Sequence, residues 1–169
     1  VDAVLIQDLG MFDLVRKTYP ELEIHASTQM HINNLDGVKL MEELGMKRVV
    51  LPRELSLEEI KEIKDNSTIE LEVFVHGALC VSYSGQCLMS SLIGGRSGNR
   101  GACAGSCRLK YDVVDEDGKK LNKFSYPLSM KDLNSLENVG NLIESGVSSL
   151  KIEGRMKSVE YVYMVVSMY

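Results

Sequence analysis

The chain has 169 residues, of which 44% are hydrophobic and 25% charged, and its formal net charge is −5. That length and apolar content suit one globular unit with a substantial core and exclude intrinsic disorder and low-complexity architecture. No apolar run approaches the roughly 20 residues that span a bilayer, and no basic segment leads into an apolar one at the N-terminus, so a cytoplasmic protein without a membrane partner is expected.

In chain order, short runs rich in Val, Ile and Leu alternate with longer segments of helical periodicity, the sequence form of repeated βα units. The pattern predicts strands at about 1–6, 22–26, 47–51, 70–76, 126–129 and 147–152. Helices are expected at about 9–18, 34–45, 56–65, 132–145 and 156–168. Ser56 followed by Glu59 forms a capping box, and Gly45 and Gly146 follow helical patterns as stops. Between about 77 and 125 the alternation gives way to a Cys/Gly-rich insertion. Within it one or two helical turns are expected at Cys87–Ile93, and a small hairpin from Leu109–Val114 through the turn Asp115–Gly118.

Right-handed βα repeats close into an eight-stranded barrel or spread into a doubly wound sheet, and six strands are too few for a complete barrel. The fold expected is therefore α/β: a single truncated, TIM-like (β/α) barrel fragment over residues 1–169. The chain opens without Met, directly on an apolar strand pattern, which agrees with a fragment. The strand Val1–Ile6 would then be an unpaired edge that invites a homodimer.

A barrel assembles its site from the loops after each strand. Polar residues recur there: Asp8, Thr28 and Gln29, Arg53 and Glu54, His76, Lys131 and Asp132, Glu153 and Arg155. For Asp8 and Asp132 a helix N-cap is an equally good reading. In 150–155 charged and apolar residues alternate, so Lys151, Glu153 and Arg155 would share one face and could orient a carboxylate or phosphate. By the same alternation Glu72, Phe74 and His76 would lie on one side of their strand, with His76 either aimed at the insertion or held as a core histidine.

All four cysteines, Cys80, Cys87, Cys103 and Cys107, fall in a 28-residue window without Asp or Glu. From Val73 to Tyr111 the only formal charges are Arg96, Arg100, Arg108 and Lys110, so this stretch carries +4 and the rest −9. Such a basic loop suits an anionic cluster, a phosphate-bearing substrate or RNA, or is a solvated surface loop. The spacing C-x6-C, x15, C-x3-C fits a four-thiolate 4Fe-4S cluster, whose ligands come from loops. Structural zinc favours short knuckles in both halves, and only the second pair has one. Disulfides or free thiols suit a chain without secretory features least.

Glu72-x-Phe-x-x-Gly77-Ala-Leu-Cys80-x4-Gly85-x-Cys87-x-x-Ser90, then Gly95-Arg-Ser-x-Asn-Arg-Gly101-x-Cys103-Ala-x-x-Cys107-Arg108, closely resembles the signature of the collagenase-like peptidases, unassigned peptidase family thirty-two. Thr28-Gln29, Leu51-Pro-Arg-Glu54, Leu128-Ser-Met-Lys-Asp-Leu133 and Leu150-Lys-Ile-Glu-Gly-Arg-Met-Lys157 extend the likeness over nearly the whole chain. The resemblance implies an N-terminal barrel-like domain of a longer protein, here lacking the family's usual Pro-Ala-Gly start. It also implies an activity, since the better-understood bacterial members are iron–sulfur proteins that hydroxylate tRNA, ribosomal RNA or a quinone precursor without molecular oxygen. Prephenate is implicated there as oxygen donor, and the Gly-Gly-Arg-Ser stretch is most similar to the ribosomal-RNA branch. On that resemblance Cys80, Cys87, Cys103 and Cys107 carry over as cluster ligands.

The first expectation is thus an oxygen-independent RNA hydroxylation enzyme. Arg53, Glu72, His76, Glu153 and Arg155 would act on donor and target, while Gln29, Arg96, Arg100, Arg108 and Lys151 bind anions and Tyr83 stacks on an exposed base. The alternative is a peptidase. H-E-x-x-H and G-x-S-x-G are both absent, and His76 with Cys80 is the one local nucleophile–base candidate. A third reading is a binding or scaffold fragment, and the net charge of −5 keeps non-specific RNA affinity modest.

Overall fold

The computed structural model describes residues 1–155 and 157–169. Among them six strands form one sheet: β1 (Ala3–Ile6), β2 (Glu23–Ala26), β3 (Arg48–Val50), β4 (Glu70–Gly77), β5 (Leu133–Asn134) and β6 (Ser149–Glu153). β1 to β4 pair in order and in parallel, and β6 adds in parallel to β4. β5 pairs antiparallel with the end of β4, His76 opposite Asn134 and Gly77 opposite Leu133. The class is mixed α/β with a predominantly parallel sheet. β1 is hydrogen-bonded to β2 alone among the described strands.

The helices are α1 (Leu9–Thr18), α2 (Leu35–Glu43), α3 (Leu57–Asp65), α4 (Met89–Gly94), α5 (Val139–Glu144) and α6 (Val159–Met168). Each long helix begins at a side chain that accepts an otherwise orphaned N–H: Asp8, Asn34, Ser56 or Ser158. At Ser56 the expected capping box is complete, with Glu59 N–H bonded to Ser56 Oγ and Ser56 N–H to the Glu59 carboxylate. Asp8 is accordingly a cap, its Oδ1 accepting from Met11 N–H at 2.8 Å, and not a rim group. Among the described residues no helix is long and apolar enough to cross a membrane.

Alternation along the strands divides the sheet into two faces. Val4, Ile6, Ile24, Ala26, Val49, Leu71, Val73, Val75, Leu150 and Ile152 meet Phe12, Val38, Met41, Ile60, Ile63 and Leu142 from the helices in one core. Ile24, Val38, Val49, Leu71 and Val75 are 0% exposed there. Full burial of such side chains stabilises by about 1.5–3 kcal/mol each. The opposite face carries Leu5, His25, Arg48, Glu70, Glu72, Phe74, Ser149, Lys151 and Glu153, in register across β1 to β6.

Three expectations change. The strand expected at 126–129 is a turn, and pairing occurs instead at Leu133–Asn134. Pro127 within that run has no N–H to give a ladder, which demotes it. The helix expected over 132–145 is a 3-10 turn at Leu136–Asn138 leading into α5. The start of the last helix at 156 lies outside the described residues, and α6 begins at Val159. The hairpin is present in reduced form: a single bridge joins Val114 to Lys120, closed by Gly118 N–H to Asp115 O at 3.0 Å.

Candidate active site at the strand ends

β4 and β6 build the polar face. Their register sets Glu72 opposite Ser149 and Phe74 opposite Lys151. Glu72, 8% exposed, accepts from Lys151 Nζ at 2.8 Å, Ser149 Oγ at 2.9 Å and Arg48 Nη1 at 3.2 Å. Burial works to raise its carboxyl, but these three donors outweigh burial and hold it below the ordinary glutamate value. Arg48 also grips Glu70 through Nε at 2.9 Å and Nη2 at 2.6 Å.

Further toward the strand ends, Arg53 stacks its guanidinium 3.5 Å above the Phe74 ring and donates from Nη2 to Glu153 Oε2 at 3.0 Å. Its side chain is 12% exposed, so the cation relies on that ring and carboxylate in place of water. Burial weakens its hold on the proton, and Glu153 and then Cys80 act to restore it. Arg53 therefore lies within electrostatic reach of a cysteine on one side and a carboxylate on the other.

His76 is the main departure. A bulge between Phe74 and His76 sets His76 opposite Ile152 and not opposite a polar-face residue. Its ring turns to the helix side, where Nδ1 lies 3.2 Å from Tyr169 Oη and the ring meets Tyr161 and Tyr169 edge-on at 6.1 and 5.7 Å. The expectation that Glu72, Phe74 and His76 share one side is thus corrected: His76 is a hydrogen-bonded histidine under α6.

After Gly77 the chain leaves the sheet for the cysteine segment. None of Cys80, Cys87, Cys103 and Cys107 is in a disulfide. Surrounding protein raises the Cys80 thiol although part of it stays open to solvent; Cys87 and Cys107 add to the rise, while Ser82 N–H and Arg53 oppose it. Cys103 Sγ accepts from Gly105 N–H at 3.3 Å and from Ser90 Oγ at 3.8 Å. Ser90, 3% exposed at the start of α4, in turn accepts from Ala104 N–H at 3.1 Å. Among the described residues no three His, Cys, Asp or Glu side chains gather closely enough to hold a single metal ion.

The basic and amide groups expected to bind anions mostly tie this segment down. Gln29 Nε2 donates to Gly98 O at 2.9 Å, beside Cys103 and Cys87. Gly85 lies against the Gln29 carbonyl so closely that a Cβ there would sit 2.5 Å from its oxygen. Ser84 N–H donates to Glu54 Oε1 at 2.8 Å. Arg108 clamps Leu79 O at 2.5 Å, Ser129 Oγ at 3.0 Å and the Met130 carbonyl. Arg155 donates to the Gly101 carbonyl, and Arg96 Nε to Ala102 O at 3.1 Å. Arg100 is exposed on the 3-10 turn Gly98–Arg100, and Tyr83 is 68% exposed, its ring edge-on to His31 at 6.1 Å. Asp132 pairs with Lys157 at 2.6 Å, away from the polar face.

Arg48 and Ser149 are site residues that the sequence reading did not single out, and Phe74, placed there beside Glu72, turns out to lie under the Arg53 guanidinium. A signal for Arg48 was present, since a cation opening β3 faces the alternating Glu70 and Glu72 of the next strand.

The chain is 43% identical over 169 residues to the 23S rRNA 5-hydroxycytidine C2501 synthase of Escherichia coli (strain K12), covering all of this chain and 25% of that protein. It is 42% identical over 175 residues to the tRNA hydroxylation protein P1 of Bacillus subtilis (strain 168), covering all of this chain and 42% of that protein. A collagenase of Porphyromonas gingivalis (strain ATCC BAA-308 / W83) is 37% identical over 161 residues, 88% of this chain and 39% of that protein. A solved U32 peptidase structure superposes on 46% of this chain and 32% of its own at a TM-score of 0.41 and 21% identity, too loose a likeness for further argument. The chain thus spans from 25% to less than half the length of these curated relatives. The model of peptidase family U32 matches residues 1–169, and the chain belongs to that family.

Proposed function

We propose that this chain is the cysteine-bearing part of an RNA hydroxylation enzyme, with Cys80, Cys87, Cys103 and Cys107 holding a 4Fe-4S cluster beside an anion-binding rim centred on Arg53. The observation that carries the reading is the position of Arg53, bonded to Glu153 over the Phe74 ring and within electrostatic reach of Cys80. The names of the rRNA and tRNA hydroxylation relatives point the same way.

The donor set fits a cluster better than one zinc ion. Zinc needs four sulfurs at about 2.3 Å from one centre, hence within about 4 Å of each other. A polynuclear cluster attaches each thiolate to a different iron and tolerates wider spacing. The Gly105 N–H and Ser90 hydroxyl at Cys103 Sγ are donors of the kind that stabilise a ligating thiolate. Such a cluster, held by these four thiolates, would supply one-electron chemistry.

The chain's own groups do the rest. Arg53 presents a planar fork to a carboxylate, and the family resemblance implies prephenate as that donor. Glu153 fixes the fork's plane, and Phe74 covers its underside against water. Lys151, 5.4 Å from the Phe74 ring and bonded to Glu72, adds a second cation at the rim. Arg96 and Arg100, both exposed, would meet RNA phosphates. The parallel order, helices on one face and polar groups at the strand ends also support a partial (β/α) barrel.

A peptidase reading rests on the collagenase relative. It needs a base at a thiol, and His76 is bonded instead to Tyr169 on the helix side. Iron and acid-labile sulfide, measured on anaerobically purified protein beside Cys80→Ala and Cys103→Ala, separate the two. About four irons and four sulfides, lost in both variants, are expected. Iron-free protein that cleaves peptides refutes the proposal.

A further inference from the structure

Beyond the cysteine segment lies an arm whose composition the site above does not use. From Lys119 to Lys131 there are four lysines and no acidic residue. Phe124 is 80% exposed and Tyr126 49% exposed, and Lys119, Lys123 and Lys131 are exposed beside them. Lys110 Nζ reaches across to lie 5.9 Å from the Tyr126 ring.

Asp112, Asp115 and Asp132, which flank the arm, are engaged. Asp112 pairs with Lys120, Asp132 pairs with Lys157, and Asp115 Oδ1 accepts from Asp117 N–H at 3.1 Å and Lys119 N–H at 2.8 Å within its turn. Glu116 and Asp117 bound the strip at its outer end.

The arm is built, and it is tied to the cysteines. Tyr111 N–H donates to Ser125 O at 3.0 Å, and Asn122 Nδ2 bonds the carbonyls of Tyr111 and Phe124. Arg108, next to Cys107, holds Ser129 and Met130 at one end and Leu79, next to Cys80, at the other. Tyr111 Oη donates to Ser106 O at 2.9 Å on the other side of Cys107.

Exposed rings interleaved with unpaired lysines are the arrangement that binds single-stranded nucleic acid, rings taking bases and cations taking phosphates. An apolar protein partner would not account for the lysines, nor a simple polyanion for the rings. We propose that Lys119–Lys131 is a single-stranded RNA strip: Phe124 and Tyr126 stack successive bases, and Lys110, Lys119, Lys123 and Lys131 hold the backbone leading toward Cys80 and Cys107. This rests on the RNA reading above and assigns it a second surface, separate from Arg96 and Arg100.

The test is fluorescence anisotropy with a mixed-sequence single-stranded 20-nucleotide RNA and an abasic strand of the same length. Wild type is compared with F124A/Y126A, K119Q/K123Q/K131Q and R96Q/R100Q, each checked by circular dichroism. With two stacked bases removed, the aromatic variant should bind RNA at least about 30-fold more weakly and lose little on the abasic strand. The lysine variant should flatten the log–log salt slope by about 2, three contacts at about 0.7 each. Arm variants that bind like wild type while R96Q/R100Q weakens overturn the strip and leave the RNA reading standing. Equal losses on both strands overturn stacking, and wild type without RNA affinity overturns both. Should F124A/Y126A misfold, crosslinking of wild type to 4-thiouridine RNA decides: adducts on Phe124 or Tyr126 support the strip, and adducts confined to other segments overturn it.

Discussion

Gly77→Ala is the sharpest test of how the sheet delivers its site. Gly77 sits at φ 107°, and a Cβ there would stand 2.4 Å from Glu153 O and 2.9 Å from Glu153 Cβ. Both are atoms of β6 itself, so no flexible side-chain tip can swing clear. Overpacking of this kind costs about 1–3 kcal/mol. The unfavourable backbone conformation adds about 1–3 kcal/mol. Gly45→Ala is the internal control, because Gly45 has φ 80° and nothing within 4 Å of the added carbon. It should show only the conformational cost, about 1–2 kcal/mol. At about 2–4 °C per kcal/mol for a chain of this size, Gly77→Ala should melt roughly 4–24 °C below wild type and Gly45→Ala roughly 2–8 °C below. Relief of the clash requires the end of β6 to move, carrying Glu153 Oε2 away from Arg53 Nη2, now 3.0 Å apart. Iron content after anaerobic purification should then fall in Gly77→Ala and hold in Gly45→Ala. If the two variants melt within a degree or two of each other, β6 yields freely at Glu153, and the argument that Gly77 fixes the rim is wrong.

Gln29→Ala removes the amide that donates to Gly98 O beside Cys87 and Cys103. One net hydrogen bond is about 1 kcal/mol, so iron loss to a chelator should quicken about fivefold, and unchanged loss would remove Gln29 as a positioning residue. Glu72 and Glu70 are both held below the ordinary glutamate value of 4.5, Glu72 by donors that outweigh burial and Glu70 chiefly by Arg48. Depressed folded values mean stability that is present above the unfolded value and lost as pH falls through the folded one. Urea midpoints should therefore drop between about pH 5 and pH 3, and Glu72→Gln should be less stable at pH 7 yet lose less on acidification; an acid limb of wild-type size would show that other groups control it.

Sequence made the parallel strands and the long helices legible because each rests on a local signal. Val49 and Val50, Ile24 and Leu71 mark buried strands, and Asp8, Asn34 and Ser56 mark helix starts. β5 was hidden because Leu133–Asn134 is two residues long and exists only where Ser135 N–H can reach Val75 O, at 3.0 Å. Tyr126-Pro-Leu-Ser129 looked more like a strand than the real one did, Pro127 notwithstanding. The cysteines stood out, since thiols are rare and their clustering is independent of fold. The roles of Gln29, Arg108 and Arg155 did not, because a side-chain N–H that meets an anion and one that caps a carbonyl belong to the same residue types.

The bulge at Phe74/His76 decides more than register. With regular alternation His76 would follow Glu72 and Phe74 onto the polar face, near Arg53 and therefore near Cys80, the beginnings of a thiol–imidazole pair. One extra residue reverses the parity, so His76 meets Tyr169 and Tyr161, and beside Arg53 the polar face keeps Glu72, Lys151 and Glu153 in ion pairs. That face is costly, because Glu72 is 8% exposed and buried ion pairs seldom stabilise more than apolar residues of the same size. Its ladder of Arg48, Glu72, Ser149 and Lys151 is accounted for by orientation and not by stability. The same strand buries Leu71, Val73 and Val75 against the helices, so the rigidity comes from one face and the chemistry from the other. Among the described residues His76 is bonded to Tyr169 on the helix side, so the imidazole on β4 is not offered to Cys80 as a base, which agrees with the proposed cluster reading more than with hydrolysis.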